Sequence, residues 1–227
     1  MYHVINHSIE GRDLFLSDKD FTYFIHLLWE FNDNSTNSHA ARDRDKNHSD
    51  NSIELIDQGR NMANIRCSPL VEVHGWILMK NHYHLILSDV EQGGVSMFMR
   101  RLNNGYAKYY NDKYKRTGYV FKGRTKKILI KNNAHALYLL HYVHFNALDY
   151  TPMKTWRLRD DGKVQDAKRA LDAIQAYKYS SAKDYLGEEN YPSILTSEFF
   201  TGLLGDYRAS AKKFLRNLED FPSRDLE

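Results

Sequence analysis

The chain has 227 residues, of which 42% are hydrophobic, enough for one domain with an extension around a buried core. A formal net charge of +3 selects no class of partner by itself. No apolar run approaches the roughly 18 residues of a membrane span, and a signal peptide's basic start and apolar stretch are missing. Cys67 is the single cysteine, which argues against a disulfide framework or a thiolate zinc cluster, so a cytoplasmic protein away from membranes is expected.

Residues 2–9, YHVINHSI, alternate as an opening strand. SDKDFTYFIHLLWEFND follows as a helix that Ser17 or Asp18 can cap, with Phe21, Phe24, Ile25 and Leu28 on one stripe. Residues 32–52 are polar and aperiodic and read as a flexible insertion, in which His39 and His48 are solvated loop histidines. LVEVHGWILMKNHYHLILS predicts two strands joined by a tight turn at Lys80-Asn81. GGVSMFMRRLNNGYAKYYNDKYKRTG predicts a basic amphipathic helix with Gly105 as its weak point. YVFKGRTKKILIK returns as a strand, and NNAHALYLLHYVHFNAL as a helix that fades before Pro152. Beyond residue 156, VQDAKRALDAIQAYKY and GDYRASAKKFLRNLED read as helices. The division expected is a domain over residues 1–150 and a helical extension over 151–227. Strands and helices mix without regular alternation, which predicts an α+β antiparallel sheet with helices on one side.

Charge is concentrated between Arg100 and Lys131, where eleven basic residues stand against one acid, Asp112. Arg100, Arg101, Lys108, Lys115, Arg116, Lys122, Arg124, Lys126 and Lys127 are the candidate DNA contacts. Tyr106, Tyr109, Tyr110, Tyr114, Tyr119 and Phe121 lie among them as candidate stacking rings for unpaired bases. A solvated helix with core aromatics is the plainer alternative.

His82 and His84 are two apart in a strand, so both imidazoles project from one face while Tyr83, Leu85 and Leu87 project from the other. Such a pair is half of a metal site, or else two polar positions on a solvated face. Tyr142 and Asn146 stand at i and i+4 on a helix, so they share a face one turn apart. An Asn oxygen completes an imidazole pair in a mixed N/O set that suits Mg²⁺ or Mn²⁺. Tyr142 as a core ring and Asn146 as a helix cap are the structural alternatives. Tyr106 and Tyr110 have the same spacing and compete for the nucleophile role. A zinc hydrolase built on His74, His82 and His84 is a third reading.

Together VHGWILMKNHYHLIL, the basic helix, YVFKGRTKK and YVHFNAL resemble the HUH single-tyrosine transposases, closest to the REP-associated tyrosine transposase branch. The resemblance extends to YKYSSAKDYLG and spans roughly residues 1–220, interrupted by the 32–52 insertion. It implies a ferredoxin-like or RNA-recognition-like sheet, His82 and His84 as metal ligands, and Asn146 as the third ligand. Tyr142 is then the nucleophile of a single-stranded DNA endonuclease and strand transferase that acts through a phosphotyrosine intermediate. Single-stranded or hairpin DNA is the implied partner, for a monomer or homodimer. Lys80 departs from the family's usual proline before Asn-His. A host-adopted, non-catalytic DNA-binding protein of the same fold is the alternative.

Overall fold

The computed structural model describes residues 1–34, 68–154, 156 and 166–216. Within them the chain runs β1 (Tyr2–His7), α1 (Asp18–Glu30), β2 (Val71–Met79), β3 (His82–Asp89), α2 (Gly94–Tyr114) and β4 (Lys126–Leu129). All strand pairs are antiparallel, in the order β2-β3-β1-β4. This β-α-β-β-α-β order with β1 and β3 inside is the expected ferredoxin-like α+β sheet. The two inner strands carry His3, His7, His82 and His84.

Successive side chains alternate between the faces of the sheet. Val4, Trp76, Leu78, Tyr83, Leu85 and Leu87 share one core with Phe24, Ile25 and Leu28 of α1 and Phe98, Leu102 and Tyr106 of α2. Ile77, Met79 and Ile86 face the other way, onto α3 (Asn133–Phe145). The helices expected on one side are therefore α1 and α2, and α3 covers the opposite face as well. Its sequence explains this: Ala136, Leu139, Leu140 and Val143 through Phe145 are all buried, so no broad polar face is left for solvent.

Two glycines permit close approaches that a side chain would block. A Cβ on Gly105 would lie 2.4 Å from the Phe31 ring, so the expected weak point of α2 is where α1's end packs against an unbroken helix. A Cβ on Gly75, at an irregularity in β2, would lie 2.9 Å from Leu140 of α3.

Ser17 is the N-cap of α1, and Asp20 accepts from the backbone N–H groups of Leu16 and Ser17, each at 2.8 Å. Asn132 caps α3 by accepting from His135 N at 2.9 Å. The strand expected over 119–131 is formed only at Lys126–Leu129, with a bridge from Phe121 to Ser8 before it. Asn32, assigned to the polar insertion, is buried: it accepts from Leu70 N and Val71 N and donates to Val71 O. The remainder of that insertion from residue 35 on, with His39 and His48, lies outside the described residues, as does Cys67.

The C-terminal segment contributes α4 (Ala167–Ala176), α5 (Ala182–Tyr185), α6 (Glu198–Leu204) and α7 (Tyr207–Arg216). Ala170, Ile174, Phe200, Ala211 and Phe214 pack in the same core as α3. The segment also closes the open edge of β2, where Leu78 N donates to Tyr179 O at 2.9 Å and Thr196 N to Val73 O at 2.8 Å. Pairing this edge removes a row of exposed backbone groups. No helix among the described residues is long and apolar enough to cross a membrane.

Candidate metal and nucleophile site

β1 and β3 bring four histidines onto the face that α3 covers. Register pairs His7 with His82 and Ile5 with His84, and His3 lies one step further along the same face, opposite Ile86. His84 is only 2% exposed, so the solvated-face reading of His-X-His fails for it. The His82 and His84 rings are 5.0 Å apart at 77°. His7 stacks on His82 at 4.7 Å and 20°.

Each imidazole of the pair is held through Nδ1. Asn81 Oδ1 lies 2.7 Å from His82 Nδ1, and because an amide oxygen only accepts, the proton belongs on Nδ1 and the lone pair on Nε2. His3 Nε2 lies 3.0 Å from His84 Nδ1. Burial, with the charge of His135 as a smaller cause, draws the His3 pKa down to about 3, so His3 is neutral. A hydrogen-bonded second nitrogen is what orients a metal-bound imidazole.

α3 delivers the other two candidates. Tyr142 meets His84 edge to face at 6.0 Å, packs against Trp156 at 6.0 Å, and is 4% exposed. Asn146 directly follows α3, and its amide nitrogen donates to Tyr142 O at 2.8 Å. It is therefore the cap that the plainer reading predicts, with the amide nitrogen committed to the helix end; a metal would take Oδ1. Two imidazole Nε2 atoms and one amide oxygen would give a mixed N/O donor set compatible with Mn²⁺ or Mg²⁺, while the imidazoles alone would also suit zinc. Among the described residues no group of three or more His, Cys, Asp or Glu is placed to hold a metal. The zinc reading loses His74 in particular. Its Nδ1 is 3.1 Å from Thr196 O and its Nε2 2.8 Å from Ser88 Oγ, and its ring lies beside Phe199 and Phe200.

The rival tyrosines are structural. Tyr106 is fully buried and donates to Leu14 O at 2.6 Å, and Tyr110 donates to Asp13 O at 3.0 Å. Burial pushes the Tyr106 phenol far above its ordinary value. Tyr109 and Tyr114 donate to the two carboxylate oxygens of buried Asp20, which also takes Lys113 Nζ at 2.6 Å. Burial opposes charge on Asp20, but hydrogen bonds from Lys113, Tyr114 and Ser17 prevail and hold its pKa low. Phe121 is buried too, so of the six rings proposed to stack on bases only Tyr119, 84% exposed, stands open. A 3.6-residue period serves a core stripe and a binding stripe equally, and here α1 occupies it.

The basic run also divides. α2 packs on the face opposite His82 and His84, which places Arg100, Arg101 and Lys108 on the far layer. Arg101 donates to Asp33 O at 2.9 Å, Arg116 lies 5.7 Å from the Tyr110 ring centre, and Lys115 ends α2 in a left-handed conformation. Lys127, opposite Val4, reaches Ser96 of α2 at 2.6 Å. Lys126, opposite Ile5, is on the histidine face, and Lys122 bonds His7 O through its backbone N–H at 2.8 Å. Lys122, Arg124 and Lys126 are exposed. Of these, the sheet register of Lys126 and the backbone bond of Lys122 set them beside the histidine strands.

His3 and His7 are site residues that the sequence reading missed. Their signal was present: in a strand, His3, Ile5 and His7 share a face.

No protein-family model matches the chain, and a search of the curated proteins finds none similar to it. Among solved structures, that of a REP-associated tyrosine transposase bound to a REP hairpin is similar, with a TM-score of 0.47 and 12% sequence identity. The match covers 86% of this chain and 84% of that one.

Proposed function

We propose that the chain is a metal-dependent, single-stranded DNA endonuclease and strand transferase that nicks through a covalent phosphotyrosine. The observation that carries this reading is the contact of His84 with Tyr142. It joins a histidine pair on an inner strand to a phenol on a separate helix, far apart in sequence. In this reading Tyr142 Oη attacks the scissile phosphorus, its proton leaves, and the phosphodiester bond to the departing strand breaks, freeing that strand end as a hydroxyl. One ester replaces another, so rejoining needs no nucleotide cofactor.

His82 and His84 through Nε2 and Asn146 through Oδ1 would hold Mg²⁺ or Mn²⁺. The bound cation would neutralise charge developing on a non-bridging phosphate oxygen. A free phenol has a pKa of about 10, so such help matters at neutral pH. Asn81 and His3 orient the two imidazoles, and Lys122 and Lys126 offer phosphate contacts on that side. Hairpin-tipped single strands are the proposed substrate.

A non-catalytic DNA-binding protein is the second reading, favoured by the 4% exposure of Tyr142 and by the capping role of Asn146. Incubation with end-labelled single-stranded hairpins and Mn²⁺ separates the two. Nicking that chelator abolishes supports the enzyme. Salt-sensitive binding without nicking, at any metal concentration, supports the second reading.

A further inference from the structure

Lys80, the departure from proline before Asn81, makes a bond that proline cannot. Its backbone N–H donates to Tyr150 Oη at 2.6 Å, and a proline there has no N–H to give. Tyr150 ends the 3-10 turn Asn146–Tyr150, which begins at the candidate ligand Asn146, while Lys80 stands two residues before His82. The pair is thus tied by short chain segments to both parts of the proposed site.

Tyr150 is 40% exposed yet held in one orientation. Its ring stacks on Tyr177 at 5.5 Å and 20°. Tyr177 is pinned by its hydroxyl to Leu78 O at 2.7 Å and meets the edge of Tyr179, which stacks on Phe21 at 3.9 Å. Lys80 Nζ lies 6.0 Å from the Tyr150 ring centre on an exposed, flexible stem. A surface ring fixed in this way loses little freedom on binding a flat ligand. Burial first, then the charges of Asp149 and Asp13, pushes the phenol up to about 12, so the ring stays neutral. Those nearby acids disfavour a phosphate on the ring itself and leave a neutral π-face as its complement.

We infer that Tyr150, anchored by Lys80 N–H and backed by Tyr177, is a stacking platform for one unpaired base beside the scissile phosphate. Lys80 Nζ serves the backbone next to that base. This subsite rests on the proposed DNA-nicking function and assigns to it a base-binding position that the basic helix, with its inward tyrosines, does not supply.

The test is equilibrium binding of the full chain to labelled single strands in which one abasic position is walked along the sequence, with the wild-type nick mapped in Mn²⁺. Loss of one stacked base should weaken wild-type binding about tenfold at a position adjoining the nick. In Tyr150→Ala that position's penalty should vanish while penalties elsewhere persist, and Tyr150→Phe should keep it. Tyr150→Leu, which retains apolar contact with Tyr177, replaces the Ala variant if that fails to fold. An abasic profile in Tyr150→Ala or Tyr150→Leu identical to wild type overturns the platform alone. A wild-type chain that binds no single-stranded DNA overturns the functional reading and the platform with it.

Discussion

The His84 ring, on an inner strand, and the Tyr142 ring, on the helix across from it, meet edge to face with centroids 6.0 Å apart and an 84° angle. Strand and helix are each fixed by their own core contacts, so this pairing does not depend on a flexible loop. Removing both imidazoles should therefore separate chemistry from binding. The double variant His82→Ala, His84→Ala should bind single-stranded DNA within about threefold of wild type while losing Mn²⁺ binding by paramagnetic resonance and losing nicking. The same variant should lose about 1–3 kcal/mol of stability, because His3 Nε2 is left unpaired in a buried place. Unchanged Mn²⁺ binding would show that the pair holds no metal.

His3 should act through His84. For His84 to ligate through Nε2, its Nδ1 must carry the proton, and His3 Nε2 is the acceptor at 3.0 Å. His3→Gln offers an amide oxygen in its place, whereas His3→Phe fills the space without an acceptor. Mn²⁺ affinity should fall about 10- to 100-fold in His3→Phe and recover partly in His3→Gln. Equal affinities in both variants would make His3 a packing residue only.

Tyr106→Phe tests the structural role of the basic helix. Loss of the bond to Leu14 O should cost on the order of 1–2 kcal/mol in denaturant unfolding, with no change in DNA affinity at permissive temperature. Tyr119→Ala, at an 84% exposed position, should show the reverse pattern. A DNA-binding loss in Tyr106→Phe that exceeds its stability loss would contradict the inward packing.

Acid should weaken the α3 core in a defined window. Burial draws the His141 pKa down to about 3, whereas an unfolded histidine titrates near 6.5. With the folded value below the unfolded one, the unfolded chain binds the proton first. Stability is then intact above about pH 6.5 and declines by about 1.4 kcal/mol per pH unit as pH falls toward 3. His141→Gln should retain a partner for Ser210 Oγ, which lies 2.8 Å from His141 Nε2. Between pH 7 and pH 5 it should lose about 2 kcal/mol less than wild type, measured by urea unfolding. Parallel losses would mean that His141 is not the titrating group.

Much of this architecture is legible in single residues of the sequence. The turn at Lys80-Asn81, the caps Ser17 and Asn132, and the facing of Tyr83 and Leu85 away from His82 and His84 follow from turn chemistry and period. The direction of the tyrosines in α2 does not, because Tyr106 and Tyr110 satisfy the same spacing whether they face α1 or a nucleic acid. His3 and His7 escaped notice because a strand reveals its neighbour's side chains only once register is known. The partner of Lys80 lies 70 residues away, beyond any local pattern.

The most direct measurement of the central claim is a denaturing gel of the protein incubated with labelled single-stranded hairpin DNA and Mn²⁺. Tyr142→Phe removes one oxygen and keeps the ring against His84 and Trp156, so folding should persist. Wild type should give a labelled band that migrates with the protein and disappears with chelator, and Tyr142→Phe should give none. Tyr106→Phe and Tyr110→Phe should still form the band. A covalent band that survives in Tyr142→Phe would contradict the assignment of the nucleophile, and its absence from wild type at every metal concentration would contradict the enzyme itself.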